Sequence, residues 1–365
     1  MTVPTSAPPS TPKPAPKSAR KPVPKSAARR KQINLALQGG GSHGAFTWGV
    51  LDRLLEDDRL QIVAISGTSA GAMNAVVTAQ GMQADGPAGA RAALAGFWRQ
   101  VARAAAFSPI RRSPLAVLTG DWKLDDSVGY LAADLLGRLA SPYDLNPLGA
   151  NPLRDLLLAT VDFDRVRACR SVSLHISATD VETGRGRVFH SDEVTLDVVL
   201  ASACLPSLFH AVEIEGRHYW DGGFMGNPVI WPFYESSPSD DVVIVQINPV
   251  VREGVPRSAR EIADRVNEIT FNGALLKELR AIDFVKRLIA QGRLSADEYR
   301  DVRLHMIEAR KQLRPLGASS KLNAEWPFLK HLFGIGRDAA EKWLAAHFDD
   351  LGARQSLDVR GMLGG

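Results

Sequence analysis

Two consecutive stretches, "INLALQGGGSHGAFTWGVLDRLLED" (33–57) and "LQIVAISGTSAGAMNAVVTAQG" (60–81), limit the fold more than anything else in the chain. Each begins with an apolar run of strand length, passes through a glycine-rich turn and continues as a helical pattern. In the first helix Phe46, Val50, Leu54 and Leu55 share one face at 3.6-residue spacing. Continuous apolar strands are buried on both faces, and two strand–turn–helix units in succession make a parallel sheet covered by helices.

The remaining segments extend this pattern. Strands are expected at "SVSLHISATDVETG" with "RVFHS" as hairpin partner, at two short runs joined by Glu215-Gly216, at "DVVIVQIN" and at "RLHMIEA". Helices are expected over 70–81, ended by Gly81, at "LDVVLASACLPSLF", over 261–292 and at "DAAEKWLAAHF". In 261–292, Ile262, Val266, Ile269, Ala274 and Leu275 are expected to face inward. Residues 85–160 carry helical stretches without strong strand signals, which fits either a helical insertion capping the sheet edge or ordinary covering helices. The expected fold is α/β, three layers (α/β/α) around a mainly parallel central sheet, in one domain over 33–350. A flexible C-terminal tail is expected over 351–365.

Charge separates the first 32 residues from the rest. They hold eight Lys/Arg, eight of the 22 prolines and no acid. The whole chain has 44 basic and 40 acidic side chains, so the remainder carries 36 against 40 and is mildly acidic. With almost no large apolar side chains, residues 1–32 cannot offset their ordering entropy by burial, and a disordered, partly polyproline II tail is expected. It reads either as a solubilising extension or as a weak electrostatic anchor for an anionic surface, lipid or nucleic acid. As an anchor, its removal should weaken vesicle binding in a salt-sensitive way. No signal-peptide core and no window near the ~18 apolar residues of a membrane span are seen. Cys169 and Cys204 lie far from metal-type spacing, and no H-x-x-x-H pair occurs. The expectation is a cytoplasmic protein, peripheral at most at the inner membrane face, with no metal and no cofactor.

Three turns carry chemistry. Gly39-x-Gly41-x-x-Gly44 follows a strand and opens a helix, as a dinucleotide-binding turn does. That function needs an acid at the end of the second strand for the ribose hydroxyls. "GTSAG" (67–71) stands there instead, a G-x-S-x-G elbow that presents Ser69 outward, with Gly67 and Gly71 relieving the close packing around Thr68 and Ala70. In "YWDGG", Asp221 ends a strand, and Gly222 and Gly223 permit a sharp turn that leaves its carboxylate projecting. A serine nucleophile needs a proton acceptor, and an aspartate so placed can serve. In isolation, D-G-G is equally a β-turn with a solvated carboxylate.

Taken together, "GGGSHG", "GTSAG" and "DGG" resemble the signature motifs of the patatin-like phospholipases, bacterial acyl hydrolases among them, which use a Ser–Asp dyad without histidine. "ATDVETG", "ASACLPSLF", "YWDGGFMGNPV" and "VVIVQINP" are similar to the family pattern at matching intervals, and the resemblance covers about residues 33–250. It implies the patatin-like fold, Ser69 as nucleophile and Asp221 as general base and then acid. It also implies an oxyanion hole in the turn Gly39, Gly40, Gly41, Ser42, His43 and Gly44, centred on the amides of Gly40, Gly41 and Ser42. One position departs from the pattern: where the family has Arg or Lys before the last glycine, this chain has His43. Either His43 supplies a pH-dependent charge, in which case His43→Arg should flatten the activity loss between pH 6 and 8, or only a hydrogen-bond donor is needed there.

The histidines at 190, 210, 218, 331 and 347 are alternative triad members. Phe97, Trp98, Phe107 and Trp122 would line an acyl groove or pack in the core. The implied activity is phospholipase- or lysophospholipase-type cleavage of acyl esters at a lipid interface, without nucleic acid. An esterase, thioesterase or transacylase on other acyl groups is one alternative; a non-catalytic nucleotide-binding or regulatory module is another.

Overall fold

The structure of the protein, a computed structural model, describes residues 30–364. The expected basic tail lies outside the described residues up to position 29. Its last residues do not belong to a tail, because the first strand begins at Lys31, whose ammonium donates to the carbonyls of Phe348 (2.8 Å) and Leu351 (2.9 Å).

Eight strands form one sheet: β1 (Lys31–Leu37), β2 (Leu60–Gly67), β3 (Ser173–Asp180), β4 (Gly186–His190), β5 (Val212–Ile214), β6 (Arg217–Asp221), β7 (Asp241–Gln246) and β8 (Arg303–Glu308). The order is β5-β6-β3-β2-β1-β7-β8, with β4 also paired to β3. The run β3-β2-β1-β7-β8 is parallel, while β4 and β6 lie antiparallel to β3 and β5 antiparallel to β6. Register pairs Leu37 with both Gly67 and Val245, so β1, β2 and β7 end at the same edge and their following turns meet.

Both faces are covered because alternate side chains are apolar. Ile33, Leu35, Leu37, Val243 and Val245 pack on one face beneath α1 (Gly44–Glu56), α2 (Ala70–Ala104) and the helix Trp326–His347. Ala36, Val242 and Ile244 pack on the other with Leu275, Leu279 and Ile282 of the helix Ala259–Ala290. The result is an α/β/α sandwich with a mainly parallel sheet. Residues 85–160 hold helices and loops and no strand. Among the described residues no helix is long and apolar enough to cross a membrane. Both cysteines are buried and unpaired. At the C-terminal end, Leu351 and Val359 are buried, the latter in a short helix Val359–Leu363.

Two local expectations fail for physical reasons. Gly81 does not end its helix: α2 runs on to Asp85 and Gly86, whose non-helical backbone precedes Pro87 and turns the chain back. A Cβ at Gly81 would stand 2.4 Å from the Cα of Ala90, so the glycine allows the two legs to touch. In Ala259–Ala290, Ile262, Val266 and Ile269 face solvent rather than the core. The inward stripe is Glu268, Asn272, Leu275, Leu279 and Ile282, and its first half is polar because it binds partners. Glu268 accepts from Arg252 (3.0 Å) and Arg265 (3.2 Å), and Asn272 accepts from Gln38 (3.2 Å).

Candidate active site

The turn after β1 is held by amide side chains. Gln38 accepts through Oε1 from the amides of Ile247 (2.8 Å) and Asn248 (2.9 Å), just past the end of β7. The Gly39 amide donates to Asn227 Oδ1 (2.6 Å), and the Gly39 carbonyl accepts from Asn248 Nδ2 (2.8 Å). Side chains are excluded at two points. A Cβ on Gly39 would lie 2.7 Å from Ser69 Cβ, so the turn rests directly against Ser69. Gly41 has φ +57°, and a Cβ there would lie 2.5 Å from the Lys321 carbonyl oxygen. Ser42 and His43 are buried, the His43 amide donates to the Gly40 carbonyl (3.1 Å), and Gly44 opens α1.

β2 ends at Gly67. The Thr68 hydroxyl donates to the Gly226 carbonyl (2.7 Å) and lies 2.6 Å from Ser177 Oγ. Ser69 takes φ 54°, a region costly for a residue with a Cβ, by roughly 1–3 kcal/mol. The surroundings hold it there: its amide donates to Ser202 Oγ (2.9 Å), and the Gly71 amide bonds the Thr68 carbonyl (2.8 Å). Ala70 begins α2, so the positive end of that helix stands behind the partly exposed Ser69 side chain.

Asp221 is the last residue of β6, paired with Ala178 of β3. Its amide donates to the Cys204 carbonyl (2.8 Å), and its carbonyl accepts from the Thr179 hydroxyl (2.8 Å). The carboxylate is fully buried. Oδ1 accepts from the Gly223 amide (2.7 Å), across the turn Gly222–Phe224, and Oδ2 has no hydrogen-bond partner. Burial pushes the Asp221 pKa up to about 7, against the smaller opposing pull of the Gly223 amide, the neighbouring Ser69 hydroxyl and the charge of Lys321. The Ser69 hydroxyl is therefore near enough to favour the carboxylate, yet Oδ2 makes no hydrogen bond of ordinary geometry. The pair is adjacent and unjoined, as is common where a bond tightens only with substrate present.

The three turns thus meet at one edge of the sheet. His43 does not bring a charge to them. It is buried, with Nε2 2.8 Å from Ser320 Oγ, and burial together with the Lys321 charge lowers its pKa to about 3. Of the two readings of this position, burial and the Lys321 charge favour the neutral ring over a pH-dependent charge.

The alternative histidines lie elsewhere. His190 Nδ1 is 3.1 Å from His175 Nδ1, His210 stacks on Tyr143, His218 is exposed, His331 stacks on Trp122 and His347 pairs with Asp350 (2.8 Å). A separate Asp241–His305–Ser356 chain exists, with contacts of 3.1 and 2.9 Å. Asp241 opens β7, so this cluster sits at the opposite end of the sheet, and His305 is fully buried. Phe97 and Trp98 are core residues, Trp122 stacks on Phe328, and Phe107 is exposed, so the four do not form one groove.

Several contributors lie outside the three turns. Ser202, Asn227, Asn248 and Lys321 each hold a turn from another part of the chain. Ser202, Asn227 and Asn248 fall within "ASACLPSLF", "YWDGGFMGNPV" and "VVIVQINP", but nothing local in those stretches marks what they hold. Lys321 carried no signal.

The model of the family described as patatin-like phospholipase matches residues 35–234, more than half of the chain. Among solved structures, the chain is similar to VipD from Legionella pneumophila, at 15% identity and TM-score 0.43, covering 88% of this chain and 68% of that one. It is also similar to the ExoU–SpcU complex from the type III secretion system of Pseudomonas aeruginosa, at 16% identity and TM-score 0.37. There the coverage is 89% of this chain and 53% of that one, so the chain spans about half of that relative's length. A comparison with curated proteins gives no match.

Proposed function

Since the chain belongs to the patatin-like phospholipase family, we propose that it is a lipid acyl hydrolase in which Ser69 attacks the ester carbonyl and Asp221 takes the hydroxyl proton. The negative oxygen formed on the substrate is received by the amides of Gly40, Gly41 and Ser42. The neighbouring amides of Gly39 and His43 are already bonded to Asn227 and the Gly40 carbonyl. Collapse of this intermediate expels the alcohol, protonated by Asp221, and leaves an acyl ester on Ser69. Water, deprotonated by Asp221, attacks that ester; the second collapse returns the proton to Ser69 and frees the fatty acid. A carboxylate titrating near pH 7 suits both directions of transfer.

The observation that carries the reading is the meeting of a glycine turn, a strained serine and a buried carboxylate oxygen without a partner. Lipid as substrate is supported further by exposed apolar side chains in the segment 105–148, among them Phe107 (95%), Leu118 (85%) and Leu148 (93%). Release of fatty acid from mixed phospholipid vesicles tests the proposal. Wild type should release it and Ser69→Ala should lose ~10³-fold or more of the rate; equal rates would refute the assignment.

A further inference from the structure

Beyond the family match, which ends at residue 234, the short helix Ala318–Leu322 reaches the glycine turn by three routes. The Lys321 carbonyl oxygen occupies the space a side chain on Gly41 would need. Ser320 Oγ meets His43 Nε2 at 2.8 Å, and is itself anchored to the Gly317 carbonyl (2.8 Å). Lys321 Nζ donates to Asn248 Oδ1 (2.7 Å), and Asn248 Nδ2 donates to the Gly39 carbonyl (2.8 Å). An ammonium on Asn248 polarises its amide, which strengthens the bond to Gly39 and fixes the direction of the turn. From this geometry we propose that Lys321 is a positioning residue of the site, holding the Gly39–Gly44 turn through Asn248 and placing a positive charge beside the turn and Asp221.

Neighbouring charges bear on this role. Burial draws the Lys321 ammonium below the ordinary lysine value, while Glu268, Asp264 and Asp221 work to keep the proton and Arg252 opposes it. The Lys321 charge acts in turn on Asp221 and His43. Cys204 also faces Asp221, and its thiol is held neutral by burial and by that carboxylate, up to about 12. His43 and Cys204 are therefore uncharged near neutrality. The Lys321 charge is the cationic influence that opposes burial at Asp221.

The proposal rests on the hydrolase reading, and its test separates the two. The pH midpoint for labelling of Ser69 by a fluorophosphonate is measured in wild type, Lys321→Gln and Lys321→Arg. A midpoint, unlike an amplitude, does not depend on how much of a variant folds. Removing a positive charge makes Asp221 hold its proton to higher pH, so Lys321→Gln should move the midpoint up by about one pH unit. Lys321→Arg, permanently charged, should keep the wild-type midpoint. An unmoved midpoint in Lys321→Gln, or an equal upward move in both variants, would overturn the role of the charge while leaving Ser69 as nucleophile. A wild type that does not label at Ser69 would overturn the hydrolase reading and this proposal with it.

Discussion

At the scale of single residues, the site stores strain and unpaired charge at the positions proposed to react. Ser69 holds a positive φ that only glycine adopts without cost. Ser69→Ala keeps the Cβ and the strain, whereas Ser69→Gly removes both. Against a glycine entropy cost of roughly 0.5–1 kcal/mol, relief of strain should leave Ser69→Gly about 1 kcal/mol more stable than Ser69→Ala. Denaturant unfolding of the two inactive variants checks this, and a less stable glycine variant would contradict the strain. These residues were legible in sequence because an elbow is local: glycines, a serine and a strand end within a few positions. His43 was not legible in full. A histidine's charge depends on what buries it, and here the neighbours Ser320 and Lys321 come from the far end of the chain.

At the scale of elements, the two ends of the parallel strands do different jobs. The C-terminal edge carries the glycine turn after β1 and the serine elbow after β2, and the antiparallel β6 brings Asp221 to the same edge, while the N-terminal ends carry a latch. Asp241 accepts from Arg303 (3.0 Å), His305 (3.1 Å) and the Gly352 amide (3.1 Å), and His305 continues to Ser356 (2.9 Å). Burial alone would raise the Asp241 carboxyl. The hydrogen bonds from His305, Arg303 and Gly352 outweigh burial and hold it well below the usual carboxylate range. A depressed carboxylate contributes stability above its unfolded pKa, and that stability is lost as pH falls through the folded value. Asp241→Asn should therefore cost about 3 kcal/mol at pH 7, less in acid, with the rate of Ser69 labelling per folded molecule unchanged. A loss below ~1 kcal/mol in chemical denaturation at pH 7 would count against the latch. Element type was readable from apolar periodicity, but element facing was not always so. Periodicity reads apolar stripes, and the inward stripe of Ala259–Ala290 begins with Glu268 and Asn272. Gly81 likewise carried the mark of a helix end, while its use is the close contact with Ala90.

At the scale of the whole molecule, the sheet order brings together turns that are distant in sequence, and the segment 105–148 leaves large apolar side chains in solvent. Parallel architecture followed from the first two strand–turn–helix units. The long-range supports of the site, Asn248 and Lys321 above all, depended on tertiary contacts that no local pattern encodes. If the exposed side chains meet lipid, the double variant Leu118→Asp, Leu148→Asp should lower hydrolysis of vesicle phospholipid roughly tenfold. Hydrolysis of a short, soluble ester should stay within about twofold of wild type; parallel losses on both substrates would refute an interfacial role. The most direct test of the central pairing is to map fluorophosphonate modification by mass spectrometry while following its rate against pH in wild type and Asp221→Asn. A single adduct on Ser69 is predicted, with a rate that rises through about pH 7 as Asp221 gives up its proton and falls by ~10²-fold or more in the variant. An adduct on another residue, or the same rate in both proteins, would contradict it.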